Sequence, residues 1–173
     1  MIDDLKIRPG NQSDKEIVTT LVNTTYTKMN TKIYKNTRVR LTDKEFDLYC
    51  AEKEMFVAVN SGNIVGCVRL ARLRENEKDL SLVVVSPQSR GQGIGRKLVD
   101  FALDLARTDG CQTVLLDILA PANEPDPHRE ALKRWYSSLG FEFVKNRDFL
   151  EFHPAAKEHL ITDVTYSLFA KKL

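Results

Sequence analysis

Cysteine is scarce in this chain: Cys50, Cys67 and Cys111 are odd in number and share no metal-ligand spacing. That argues against a cystine-stapled scaffold or a Cys-ligated zinc centre, and it suits buried thiols in a reducing compartment. An excess of one charge is missing too. Lys and Arg together number 26 against 24 for Asp and Glu, so no global field draws in nucleic acid or an anionic membrane. No apolar run approaches the roughly 20 residues of a membrane span, and the N-terminus lacks the apolar core of a secretory signal. The expectation is a cytoplasmic protein with neither a nucleic-acid nor a membrane partner. His128, His153 and His159 are scattered, and no bound metal is expected from them. Repeats, low-complexity tracts and linker-like stretches are absent, so residues 1–173 are expected to form one domain.

What is present is ordinary for a globular protein, at 42% hydrophobic and 29% charged residues. Leu5 to Arg8 reads as a first strand, ended by Pro9-Gly10. Ser13 with Glu16 is placed to cap a helix whose apolar stripe is Ile17, Val18, Leu21 and Val22. A basic run follows, with Lys28, Lys32, Lys35, Arg38 and Arg40 and no acid between them. Such a run is usually a solvated face; its functional version attracts an acidic acceptor or a cofactor phosphate. Thr42 caps a short helix to about Ala51. Phe56–Val59, the turn 60–63, Ile64–Leu73 and Leu80–Val85 then predict an antiparallel meander.

Three of the chain's eight glycines fall within five residues, in Arg90-Gly91-Gln92-Gly93-Ile94-Gly95. Before them stands the β-branched run 80–85; after them Ile94, Leu98, Phe101, Ala102, Leu105 and Ala106 recur at helical spacing. Glycines leave the backbone amides uncovered where a helix begins with its first N–H groups unpaired, which makes an anion site. A P-loop is excluded, because Gly95 is followed by Arg96-Lys97-Leu98 with no hydroxyl for magnesium. A dinucleotide fingerprint fits less well, because Ser86 to Arg90 intervene between strand and glycines. Its acidic residue does have a counterpart in Asp117. Further on, Thr113 to Leu119 reads as a strand parallel to 80–85. Pro121 to Pro127 reads as a loop and Arg129 to Leu139 as a helix. Phe141 to Lys145 and Asp163 to Ala170 form a closing antiparallel pair around an insert, 146–162.

The remaining pattern is Gln or Arg, two free positions, Gly, one free position, then Gly or Ala. Arg90 to Gly95 fits it at each fixed position. With Val85-Ser86-Pro87 before it, Tyr136-Ser137-Ser138-Leu139-Gly140-Phe141 after it, and the opening Ile7-Arg8-Pro9, the chain resembles the GNAT family of N-acetyltransferases over nearly its whole length. The resemblance implies an α/β (α+β) fold with a mixed, mostly antiparallel sheet of six to seven strands and helices on both faces. It implies transfer of an acetyl group from acetyl-CoA to a primary amine, in a small molecule or peptide, without a covalent intermediate. Strands 80–85 and 113–119 are then expected to splay apart. The pantetheine arm would bond the backbone of Val83 and Val85, and an amide of the Val84–Val85 region would polarise the thioester. The diphosphate would rest on the amides of Gly91, Gln92, Gly93, Ile94, Gly95 and Arg96, near the Arg90 and Arg96 charges. Tyr136 matches the family's acid. Asp117 matches a strand position where some members carry the base, whereas strand 80–85 offers no acid. Arg129 stands where many members have a cofactor-holding Asn, with Asn123 as the substitute. Two other readings stay open, a non-catalytic acyl-CoA-binding module and a nicotinamide-dinucleotide-binding protein. The acceptor's identity and a homodimer are open as well.

Overall fold

The computed structural model describes residues 4–173. Strands β1 (Lys6–Pro9), β2 (Met55–Asn60), β3 (Asn63–Arg74) and β4 (Glu77–Val85) pair antiparallel in turn. Ser61 and Gly62 link β2 to β3, both at positive φ (48° and 80°), as a tight hairpin of this twist requires. Helix α3 (Ile94–Thr108) carries the chain back across the sheet, so β5 (Thr113–Pro121) runs parallel to β4. Strand β7 (Val164–Lys172) pairs antiparallel with β5, and β6 (Glu142–Arg147) forms the far edge. The seven-stranded order is β1-β2-β3-β4-β5-β7-β6.

Helices cover both faces, as expected. Helix α3 turns Ile94, Leu98, Ala102 and Ala106 onto Val68, Leu80, Leu116 and Ile118, with Tyr136 of α4 (Pro127–Ser138) beside them. On the other face α1 (Lys15–Met29) and α2 (Asp43–Ala51) bury Val18, Val22 and Phe46 against Met55, Val57, Leu82 and Val84. Each large apolar side chain so buried stabilises the fold by about 1.5–3 kcal/mol. Thr42 caps α2 in a reciprocal box with Glu45. Among the described residues no helix is long and apolar enough to cross a membrane.

Two local expectations are corrected. Ser13 does not cap α1. Asn11, two residues earlier, caps instead the short 3-10 turn 12–14 that leads into α1, accepting from the Ser13 amide at 2.9 Å while Asp14 accepts from the Asn11 amide at 2.9 Å. Arg8 explains the shift, because its guanidinium grips Asp14 through bonds of 2.7 and 2.8 Å and fixes where the chain turns. Strand β4 begins at Glu77 rather than Leu80. Glu-Lys-Asp is a poor strand sequence, but Lys78 is buried and ion-paired with Asp109 at the end of α3, so a tertiary partner overrides propensity.

Strand β4 carries a bulge just before its C-terminal valines. Cys67 pairs with Val84 and Arg69 with Ser81, so Val68 alone opposes Leu82 and Val83. Leu82 takes φ +51°, a strained value for leucine. The side-chain phase flips there: Leu80 packs under α3, Leu82 and Val84 under α1 and α2, and Val83 and Val85 return to the α3 face. Gly66 permits this close approach, since a Cβ on it would lie 2.7 Å from the Val84 carbonyl oxygen.

Candidate active site

Strands β4 and β5 pair only between Glu77–Asp79 and Thr113–Leu115. Beyond Asp79 and Leu115 they part, so the expected splay is present. Val84 directs its carbonyl to the β3 side, and the Ser86 amide donates to the Val65 carbonyl at 2.8 Å. By strand alternation the amides and carbonyls of Val83 and Val85 face the gap, where no strand meets them.

The glycine loop lies at the mouth of this gap. Gly91 and Gly93 take φ +76° and +77°, and an added Cβ on either would meet nothing within 4 Å. The first amide bonded back into α3 is that of Lys97, to the Gly93 carbonyl at 3.1 Å. The amides of Gly91, Gln92, Gly93, Ile94, Gly95 and Arg96 have no carbonyl partner among the described residues. They converge at the positive end of a 15-residue helix, an arrangement suited to a diphosphate. Arg90 is exposed, and Arg96 is exposed apart from a 3.6 Å pairing with Asp100. Gly95 instead makes room: a Cβ there would sit 3.6 Å from the Trp135 indole and 3.7 Å from Val85.

Helix α4 starts at Asp126, whose carboxylate accepts from the amides of His128 and Arg129, each at 3.1 Å. The buried Tyr136 ring stands 4.7 Å from Trp135 and 5.7 Å from Phe141, centroid to centroid. Burial pushes its phenol well above the ordinary value, and Tyr26 and Asp79 push the same way. Tyr26 belongs to α1 on the opposite face of the sheet. The Tyr136 hydroxyl has no hydrogen-bond partner among the described residues.

Asp117 lies on the α1–α2 face of β5, where Arg147 of β6 grips it through Nε at 3.1 Å and again through Nη2. The same guanidinium lies over the rings of Phe152 (4.4 Å) and Tyr166 (5.3 Å). Burial raises the Asp117 carboxyl above the usual range and Arg147 opposes it. Burial, with Asp117 adding to it, pushes the Tyr166 phenol up to about 12. Sequence reasoning missed Asp79, the last paired residue of β4 before the gap. Burial raises its carboxyl above the ordinary range, against the pull of Ser81, Arg69, Arg40 and Arg147. Strand four therefore does carry an acid, one turn of the pleat before the segment where none was seen.

Asn123 and Arg129 diverge. Asn123 is exposed and donates to Asp163 at 3.2 Å. Arg129 is 4% exposed and reaches the end of α1, donating to the Met29 carbonyl at 3.2 Å and to Asn30, while its Nε has no partner.

A mixed sheet that opens behind a bulged strand, with an amide-lined glycine loop at the opening, defines an acyltransferase architecture. The model of the acetyltransferase (GNAT) domain matches residues 51–143, more than half of the sequence, and the chain belongs to this family. No curated protein sequence matches it. Among solved structures it is similar to the PaiA N-acetyltransferase of Thermoplasma acidophilum in complex with coenzyme A. The two share 14% identity at a TM-score of 0.75, over 98% of this chain and 99% of that one. It is also similar to yncA of Salmonella typhimurium with acetyl-CoA, at 21% identity and a TM-score of 0.71, over 99% and 95%. N-acetylglutamate synthase of Neisseria gonorrhoeae, with coenzyme A and N-acetylglutamate, gives 17% identity and a TM-score of 0.69. That match covers 98% of this chain, which spans about a third (35%) of the synthase. At such identities the likeness is one of fold.

Proposed function

We propose that this chain binds acetyl-CoA between β4 and β5 and transfers the acetyl group to a primary amine by direct attack on the thioester. The observation that supports this most is a coincidence at one gap: the unpaired backbone of Val83 and Val85 and the open amides 91–96, with α4 packed against Gly95 through Trp135. The coenzyme A and acetyl-CoA held by structural relatives support it further. In this reading the pantetheine arm lies along Val83 and Val85 as an added strand. The diphosphate rests on the glycine-loop amides, with Arg90 and Arg96 as counter-charges and Asn123 near the far wall. The Val85 amide polarises the thioester carbonyl as its oxygen gathers charge.

The acceptor nitrogen attacks the carbonyl carbon and passes a proton through intervening water to Asp79. The carbon–sulfur bond then breaks, and Tyr136 gives its proton to the departing sulfur. Products are coenzyme A and the N-acetylated acceptor. Asp79 suits the base role because burial makes its carboxylate more basic than usual. Asp117, already gripped by Arg147, orients the amine. Burial makes Tyr136 a weaker acid, but a thiolate forming in the same dry gap becomes more basic too, so the transfer stays matched.

Release of free thiol from acetyl-CoA in the presence of an amine tests this. Tyr136→Phe is expected to lower kcat by about 100-fold with acetyl-CoA affinity unchanged. An unaltered kcat with a good acceptor removes Tyr136 from the mechanism; absence of thiol release in the native protein, despite acetyl-CoA binding, leaves a binding module.

A further inference from the structure

The segment joining α1 to α2 and the insert between β6 and β7 are joined by backbone hydrogen bonds. Tyr34 forms an antiparallel bridge with Leu160, the Lys35 amide donates to the His159 carbonyl at 2.9 Å, and the Ile161 amide donates to the Ile33 carbonyl at 2.9 Å. Ile33 and Leu41 are buried anchors of the first segment. Asn23 of α1 holds its far end, accepting from the Arg40 and Leu41 amides at 2.7 and 3.0 Å. The backbone of the basic run is thus held in place, while Lys32, Lys35 and Arg40 stay exposed as a solvated face would be.

Beneath it lies a cleft of about 220 Å³ whose wall includes Tyr26, Asn30, Tyr34, Lys35 and Arg38. That wall holds two cations and no carboxylate. Arg38 lies 5.3 Å over the Tyr34 ring, and its Nη1 is buried without a hydrogen-bond partner. Arg129, bonded to the Asn30 of this wall, has a second orphan N–H at Nε. Arg40 lies 5.2 Å over the Tyr26 ring, and neither Arg38 nor Arg40 has an ion pair among the described residues. Lys32 is different, being paired with Glu124 at 3.2 Å. Buried donors without acceptors are unfavourable, and an anion in the cleft supplies the missing acceptor.

We propose that this cleft is the anion subsite of the acceptor site, and that the acceptor is a small primary amine carrying a carboxylate. The inference rests on the acetyltransfer reading above. Arg38 and Arg40 hold the carboxylate, while Asp79 and Asp117 receive the amine at the gap. The insert touches both ends: its Phe152 ring lies 4.4 Å from the Arg147 guanidinium that holds Asp117, and its Leu160 bridges Tyr34 of the cleft wall. Burial, with the charges of Arg40, Arg38 and Arg147 adding to it, holds the imidazole of His153 in the insert below the usual value.

The test compares each proteinogenic amino acid with its own carboxamide as acceptor, by thiol release, with acetyl-CoA binding measured alongside by calorimetry. The expected result is a kcat/KM for the best amino acid at least about tenfold above that of its amide. Arg38→Gln is expected to collapse that ratio towards one by raising KM for the acid, with kcat and acetyl-CoA affinity unchanged. Arg38→Lys is expected to keep part of the preference. Acetyl-CoA binding with amides or uncharged amines used equally well overturns the subsite and leaves the acetyltransfer reading standing. Failure to bind acetyl-CoA overturns the reading itself, and the subsite with it.

Discussion

Gly93→Val is expected to reduce acetyl-CoA affinity by at least about 100-fold while leaving the protein folded. Gly93 holds φ +77° at the start of α3, and a Cβ built on it meets nothing within 4 Å. Damage to the fold is therefore backbone strain alone, of order 1–3 kcal/mol, or a drop in Tm of several degrees for a domain of this size. The harm to binding is larger, because the open space over Gly93 is the place proposed for the diphosphate. Each amide bond lost to that anion weakens binding by about 1.5–3 kcal/mol, and two losses reach the stated factor. Gly110 is the control. It holds φ +75° at the other end of α3, again with nothing within 4 Å of its built Cβ, so Gly110→Val carries similar strain far from the loop. Calorimetry on both variants separates strain from obstruction; equal affinities in the two would remove the glycine loop from cofactor binding.

Asp79→Asn is expected to lower kcat by about 100-fold or more while raising Tm at neutral pH. Burial holds the Asp79 carboxyl above its ordinary value in the folded chain, so the folded state binds that proton more tightly than the unfolded state. The stabilisation from this group is full below the unfolded value, near 3.8, and is lost as pH rises through the higher folded value. At neutral pH the ionised carboxylate therefore strains the fold, and asparagine relieves it. The same shift sets the activity profile. The native enzyme should lose kcat on acidification at a pH above the ordinary carboxylate range, and the variant should lack that limb. A variant with native kcat and an unchanged acid limb would move the base role away from Asp79.

The parts of this fold that were legible in the sequence are those where local chemistry and tertiary need agree. Val83, Val84 and Val85 are β-formers in a strand, Thr42 caps the helix it precedes, and the glycines at 91 and 93 sit where φ is positive. The start of β4 was hidden because Glu77-Lys78-Asp79 becomes a strand only through Asp109 and through the β5 pairing, partners distant in sequence. Asp79 was lost for that reason. The cap ahead of α1 was displaced by Arg8, a residue outside the helix. The junction of the basic run with the insert was illegible for a similar reason: Tyr34 and Leu160 lie far apart in the chain, and nothing local in either marks them as neighbours. The basic run 28–40 could be seen, but its role depended on the cleft beneath it.

The most direct test is calorimetric titration of the purified protein with acetyl-CoA, with the reduced nicotinamide dinucleotide run in parallel. Saturable binding of acetyl-CoA and none of the dinucleotide is the result predicted by an amide-lined loop beside splayed strands. Binding of the dinucleotide in its place, or of neither, would contradict it.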